Sequence, residues 1–277
     1  MIDLIKIRSS WRSYTSKSLD QVVLDKILEY LSRQNIGPLK SKSRFHLISM
    51  DDPVIIDNHR LHTYGFIKNA RNFIVGAVEF SDSHWIDFGY LLEKIILMMT
   101  DLGLGTCWLG GTFSRSEFAD SIKVRKNEVI PAVSPLGFAT GNRSLRDQII
   151  RWGAKSRNRR SRNSLFFKEN FGEHLPSDQT SKYETVLEMV RLGPSASNRQ
   201  PWRVVKIGND YHLFLQRTKK YEMIVKDTDL QLVDMGIAMC HFELTANELG
   251  LPGHWVKDNP KIPIPDLAEY VVTWIPG

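Results

Sequence analysis

The sequence predicts an α+β protein of two equivalent halves in tandem, each a sheet packed with helices, related by a pseudo-two-fold. Three observations predict it. A 277-residue chain with 42% apolar residues can fill a substantial core. Segments with helical apolar spacing alternate with short β-branched and aromatic runs. Residues 86–108, IDFGYLLEKIILMMTDLGLGTCW, also align without a gap on residues 233–255, VDMGIAMCHFELTANELGLPGHW, at an offset of 147. Asp87 meets Asp234, Gly89 meets Gly236, Leu97 meets Leu244, Leu102-Gly103-Leu104 meets Leu249-Gly250-Leu251, and Trp108 meets Trp255. Those seven identities in 23 positions compare with about one or two for random alignment at average residue usage.

The elements follow in chain order. Leu24, Ile27, Leu28 and Leu31 fall at i, i+3, i+4 and i+7, which predicts an amphipathic helix. Gly37-Pro38 is expected to end it, because proline cannot continue the hydrogen-bond ladder. The run 72–78 reads as a strand, and Leu91, Leu92 and Ile95 mark a second helix. Gly103 and Gly105 are expected as that helix's C-cap and a turn, as are Gly250 and Gly253 in the other half. A join near residues 164–182 leads to a second helix and Gly193-Pro194 break, with 28–48 weakly resembling 186–207. Runs 202–207, 211–216 and 270–275 then read as strands. The expected division is 1–163 and 164–277.

Composition narrows the function classes. Cys107 and Cys240 have no C-x-x-C partner, which argues against a disulfide framework or zinc site and for a reducing, cytoplasmic setting. No signal-peptide core or membrane-length apolar run is present, so no membrane association is expected. Among the histidines only His59 and His62 are ligand-spaced, and no metal is expected. The net charge of +6 concentrates in RWGAKSRNRRSRN at 151–163, with Arg151, Lys155, Arg157, Arg159, Arg160 and Arg162. That stretch reads as a solvated basic loop, a nucleic-acid patch or a pocket for one phosphate.

The halves differ in their polar motifs. The first alone carries Arg8-Ser9-Ser10-Trp11-Arg12-Ser13-Tyr14; the second alone carries Pro194-Ser195-Ala196-Ser197-Asn198-Arg199-Gln200-Pro201-Trp202. The counterpart of the latter in the first half is Gly37-Pro38-Leu39-Lys40. Two symmetric sites are therefore not expected; one composite site, using one copy of each motif, is.

RSSWRSYT (8–15) resembles the opening box of the nitroreductase family, PSASNRQPW (194–202) its loop-to-strand box, and LGLGTCWLGG (102–111) its glycine-rich loop. The order matches only when the halves are taken as two subunits, and the plan resembles the family's single-chain, two-lobed branch. This resemblance implies a nitroreductase-like fold, an intramolecular pseudo-dimer that is monomeric in solution, and one bound FMN.

Residue by residue, the resemblance implies that Arg8, Ser9 and Ser10 hold the FMN phosphate and ribityl chain, where a guanidinium and hydroxyls donate to oxygen acceptors. Arg12 matches the basic position at the flavin N1 and O2 edge, where positive charge stabilises the reduced ring. Leu109, Gly110 and Gly111 match backbone N–H donors near N5 and O4. Pro194, Ser195, Ala196, Ser197 and Asn198 match the segment covering the ribityl and dimethylbenzene side, with Gln200, Pro201 and Trp202 holding the loop and packing the strand. Arg159 and Arg160 match a basic segment closing over the phosphate, although Ser161 stands where proline is expected. The glycines follow a helix, so this is no dinucleotide fingerprint.

The activity implied is a two-step reduction in which NADH or NADPH reduces the flavin and a small nitroaromatic or quinone-like acceptor reoxidises it. No catalytic side chain is required. Residues 51–71 and an 81–86 loop are expected to shape the substrate opening. Two other classes stand beside this one: a flavin-binding storage or sensor protein without turnover, and a nucleic-acid binder. The basic stretch lacks the interleaved aromatics that single strands stack on, so no nucleic-acid partner is expected.

Overall fold

A computed structural model describes residues 1–50, 61–141, 158–179, 181–219 and 228–277. Its centre is a pair of long buried helices packed against each other, α3 (His84–Asp101) and α6 (Leu230–Glu248). Both are apolar almost all round, the pattern of a helix enclosed by protein. Gly89 and Gly236 make the contact. A Cβ on Gly89 would lie 2.1 Å from the Val233 carbonyl oxygen, and one on Gly236 would lie 1.9 Å from that of Ile86. Ile86 and Val233 occupy the same repeat position, so the two close approaches are reciprocal, as in a contact across a two-fold axis.

The Leu-Gly-Leu identity has an equally local cause. Gly103 and Gly250 adopt φ of +72° and +69° just past the ends of α3 and α6. Leu104 N–H donates to the Met99 carbonyl and Leu251 N–H to that of Ala246, each at 2.9 Å. Both helices thus end in a Schellman motif, for which glycine is the favoured residue. Gly105 and Gly253, expected in turns, instead lie in strands β3 (Gly105–Thr106) and β10 (Gly253–Val256). There the chain passes close to its neighbours: a Cβ on Gly253 would meet the Ile275 carbonyl oxygen at 2.5 Å.

Each half builds a sheet with one strand order. The first contains β1 (Ser43–Ser49), β2 (Asn72–Glu79), β4 (Glu128–Val129) and β5 (Val133–Gly137), ordered β1-β2-β5-β3, with β4 also paired to β2. The second contains β6 (Phe166–Lys168), β7 (Asn170–His174), β8 (Trp202–Ile207), β9 (Asp210–Gln216) and β11 (Ala268–Pro276). Its order is β10-β11-β9-β8-β6-β7, so β8-β9-β11-β10 repeats β1-β2-β5-β3 with the same antiparallel pairings. The β6-β7 hairpin is added at the edge, β6 running parallel to β8.

Shorter helices surround this frame: α1 (Ile2–Ile7), α2 (Gln21–Arg33), α4 (Arg115–Ser121) and α5 (Glu184–Leu192). The Asp20 side chain caps α2 by accepting from Val23 N–H, and Ile27 and Leu31 bury its apolar stripe. The expected stop at Gly37-Pro38 is not where α2 ends. The helix finishes at Arg33, and Gln34 leaves it at φ −92°, ψ 71°. A bridge between Ile36 and Lys42 and a bond from Ser43 N–H to the Asn35 carbonyl draw the chain into a tight loop before proline is reached. In the second half α5 does run to Gly193, its C-cap. The expected 81–86 loop is corrected as well, since α3 already begins at His84. The N-terminal helix α1 was not anticipated.

Candidate functional site

The opening box begins where α1 stops. Arg8 is the helix's C-cap, and its side chain is only 7% exposed. Its guanidinium Nε lies 3.6 Å from Glu93 Oε1, an ion pair too long to be a hydrogen bond. Nε and Nη1 are buried without a hydrogen-bond acceptor among the described residues. A buried cation with open donors is costly unless something supplies oxygen atoms.

From Ser9 onward the box is extended. Ser10 bridges Thr106 in β3, Trp11 N–H donates to the Thr106 carbonyl at 2.8 Å, and the Arg12 carbonyl accepts from Lys68 N–H. Thr15 N–H reaches the Phe138 carbonyl, while the buried Tyr14 hydroxyl donates to the Trp11 carbonyl. The box therefore runs beside the strand that leads into the glycine-rich loop. Gly105 permits this, since a Cβ there would touch Trp11 Cβ at 3.2 Å and Ala139 Cβ at 3.0 Å.

In that loop Leu109 exchanges two 3.0 Å backbone bonds with Val133, so its N–H is already engaged. The N–H groups of Gly110 and Gly111 have no acceptor among the described residues. Arg115 fixes the loop from outside, donating to the Gly110 carbonyl at 2.7 Å and the Ile130 carbonyl at 2.6 Å. A Cβ on Gly110 would fall 2.6 Å from a Leu230 methyl at the start of α6.

The third motif is anchored on the same helix. Ala196 N–H donates to both carboxylate oxygens of Asp234, at 2.9 and 3.2 Å. The backbone beyond is strained: Ser197, Asn198 and Gln200 have φ of 50°, 54° and 50°. Serine and glutamine in the left-handed region each cost on the order of 1 kcal/mol, which persists only when surrounding contacts over-determine the loop. Here they do. Arg159 donates to the Leu192 carbonyl from Nε and Nη2 and to Asn198 Oδ1 from Nη1. Arg160 donates its N–H to Gln200 Oε1 and its Nε–H to the Arg199 carbonyl. Buried Arg203 grips the Gln200 carbonyl, and burial together with the charge of Arg160 brings its pKa down to about 10. Gln200 N–H donates to Ser195 Oγ, and Gln200 and Trp202 are buried, as expected for residues that hold the loop. Arg151, Lys155 and Arg157 lie outside the described residues, as do His59 and residues 51–60.

Sequence reasoning missed what ties these motifs together. Glu93, fully buried in the middle of α3, accepts from Trp108 Nε1 at 2.7 Å through Oε2 and lies 2.9 Å from His241 Nε2 through Oε1. The other ring nitrogen, Nδ1, faces the Met189 carbonyl of α5 at 2.9 Å. One carboxylate thus links Arg8 of the opening box, Trp108 just before the glycine loop, and the helix that feeds the 194–198 loop. Burial alone would push the Glu93 carboxyl up, but the hydrogen bonds from His241 and Trp108 and the charge of Arg8 outweigh it and hold it below its ordinary value. Asp234 goes the other way, burial raising it well above the usual carboxylate range against the pull of Ala196 N–H. The available signal was a pair of charged residues, Glu93 and Lys94, within an otherwise apolar stretch, YLLEKIILMM.

At about 100° per residue, positions 230, 234 and 241 of α6 fall within about 40° of one another, on one stripe. That stripe meets Gly110, the Ala196 loop and, through Glu93, Arg8. Asp234 and His241 are two turns apart, about 10 Å of helix rise. The three sequence motifs, drawn from both halves, are therefore tied to one helix face. Among the described residues no group of three or more His, Cys, Asp or Glu side chains could hold a metal ion, and no helix is long and apolar enough to cross a membrane.

Comparison with known proteins gives a consistent picture. A family model described as "Putative TM nitroreductase" matches residues 1–246. A "Putative NADH dehydrogenase/NAD(P)H nitroreductase" of Methanothermobacter thermautotrophicus is 27% identical over 159 residues, 53% of this chain and 81% of that protein. The crystal structure of a "putative nitroreductase" from Thermotoga maritima superposes with a TM-score of 0.61 at 23% identity, covering 99% of this chain and 92% of that one. Its likeness extends the same fold over the whole chain. A Bacteroides fragilis nitroreductase with bound FMN aligns with 52% of this chain and 90% of its own, at 19% identity and a TM-score of 0.39.

Proposed function

The chain belongs to the "Putative TM nitroreductase" family, and from that premise we propose that it is an FMN-dependent oxidoreductase in which NADH or NADPH reduces a nitroaromatic or quinone-like acceptor in two steps. The observation that carries this reading is the tying of three motifs from both halves to one face of α6, with the buried, open donors of Arg8 among them.

The donor set fits FMN. Arg8 offers a buried cation whose Nε and Nη1 have no acceptor among the described residues, suited to phosphate oxygens, and Ser9 and Ser10 follow it in the chain with their hydroxyls. Gly110 and Gly111 offer backbone N–H groups that have no acceptor among the described residues. Arg12 is assigned to the pyrimidine edge of the ring, where its charge favours the reduced form. The 194–198 loop is assigned to the ribityl side, with Arg159 and Arg160 closing the phosphate end through the loop that they brace. Bound FMN supplies the hydride chemistry, so the chain's own residues need only bind, orient and screen.

We divide the chain into lobes at 1–163 and 164–277 and take it as a fused dimer that is monomeric in the cytoplasm. The reciprocal Gly89–Val233 and Gly236–Ile86 approaches and the repeated strand order support this. The test is to add FMN, desalt, count the flavin retained per chain, and mix anaerobically with NADH and NADPH. One flavin per chain that bleaches and recovers with a quinone is the expected result. Two flavins per chain would remove the composite site, one that stays yellow would leave a binding protein without turnover, and none would sink the reading.

A further inference from the structure

Asp87 and Asp234 occupy the same repeat position, and each holds the loop that follows the Gly-Pro of its own half. Asp87 accepts from Leu39 N–H and Ser41 N–H, both at 2.8 Å; Asp234 accepts from Ala196 N–H at 2.9 and 3.2 Å. Both are buried. On the reading of this chain as a flavoprotein, we propose that Asp234 is a positioning residue that fixes the 195–198 loop for the cofactor, whereas its twin Asp87 serves only the fold.

The two loops differ in what their acids restrain. Beyond Asp234's contact three non-glycine residues are left-handed, while the first-half loop has one, Lys40 at φ 76°. The strained loop is held from three further directions by Arg159, Arg160 and Arg203. Arg160 and Arg203 bond to Arg199 and Gln200, and Arg159 spans Leu192 and Asn198, while Asp234 takes the Ala196 N–H at the start of the strained stretch. The repeat position of Gly110 is Lys257 in the other half. A lysine therefore stands where the composite site has a glycine, and its charge acts on Asp87. Asp87 thus lies at the pseudo-equivalent place, on a loop stripped of the PSASN side chains.

The pair supplies its own control. Losing the buried acceptor of a backbone N–H weakens whatever depends on that loop by about tenfold or more. FMN titrations followed by flavin fluorescence, together with melting temperatures, should therefore separate two effects. D234A and D87A should both lower the melting temperature, but only D234A should weaken FMN binding, by about tenfold or more. D234N, whose amide oxygen still accepts from Ala196 N–H, should restore FMN binding to within about threefold of the starting protein. A196P provides the same test from the loop side if D234A does not fold. Ser195, at φ −150° and ψ 158°, already has the extended backbone that a following proline requires, and the ring both removes the N–H and places Cδ where the Asp234 carboxyl sits, so the contact is lost from the loop side. It should reproduce the D234A loss.

Equal weakening by D87A and D234A, or unchanged affinity in D234A and A196P, overturns the proposal while leaving a flavoprotein. Failure of the unaltered chain to bind FMN overturns the functional reading itself, and the positioning role with it.

Discussion

His241 Nε2 lies 2.9 Å from Glu93 Oε1, joining the two central helices through a buried polar contact. Both side chains are fully buried. Removing one member of such a contact leaves the other desolvated and unpaired, at a cost of about 3–5 kcal/mol. E93A is therefore expected to lose about that much stability, and E93Q less, because its amide can still face His241 and Trp108. Urea unfolding monitored by tryptophan fluorescence measures the difference. An E93A variant as stable as the parent would mean that the network contributes nothing net.

The acid dependence of stability has a definite sign for each buried carboxyl. Glu93 is held below its ordinary value of 4.5 in the fold, so its contribution is present above that pH and is lost as pH falls through the folded value. Asp234 is raised above its ordinary 3.8, so its contribution is complete below 3.8 and is lost as pH rises through the folded value. Melting temperatures between about pH 3.5 and 7 should therefore fall less steeply toward acid in E93Q than in the parent, and more steeply in D234N. Identical pH slopes in all three proteins would exclude both assignments.

Gly89 and Gly236 should be the least replaceable glycines. An alanine at either forces a carbon to about 2 Å from a carbonyl oxygen of the opposite helix, which only separation of the helices relieves, at about 3 kcal/mol or more. Gly103 is the contrast: nothing lies within 4 Å of its would-be Cβ, so an alanine meets only the strain of φ +72°, about 1 kcal/mol. Thermal melts of G89A, G236A and G103A test the order. A G103A as damaging as the other two would show that backbone strain, not helix contact, dominates.

The repeat was legible because each identity answers a local demand: Leu-Gly-Leu a Schellman ending, Gly89 and Gly236 a helix contact, Asp87 and Asp234 a loop to hold. The strand runs were equally plain, since 202–207 is the β8 span itself. The pairing of Glu93 with His241 was not legible, because they are 148 positions apart and the apolar context of Glu93 marks burial without naming its partner. The α2 ending was misjudged for a related reason. Proline sets a latest stop for a helix, while a tertiary loop closed through Ile36 and Lys42 set an earlier one. Where Arg159 and Arg160 direct their donors likewise depends on a loop some forty positions away.

Arg8 gives the most direct test of where the anion sits. Its guanidinium is nearly enclosed, and Nε and Nη1 have no acceptor among the described residues, so a phosphate there would gain charge-assisted hydrogen bonds in a site that salt screens poorly. Riboflavin lacks the phosphate and should gain none of this. In the unaltered protein FMN should bind far more tightly than riboflavin, and R8M should lose on the order of a hundredfold in FMN affinity while riboflavin changes little. The hydrophobic stem of methionine keeps most of the packing, which separates loss of charge from loss of shape. Titration of both flavins against both proteins, at low and high salt, is sufficient. If R8M weakens FMN and riboflavin equally, Arg8 acts through the fold and the phosphate lies elsewhere, with Arg159 and Arg160 the next residues to test.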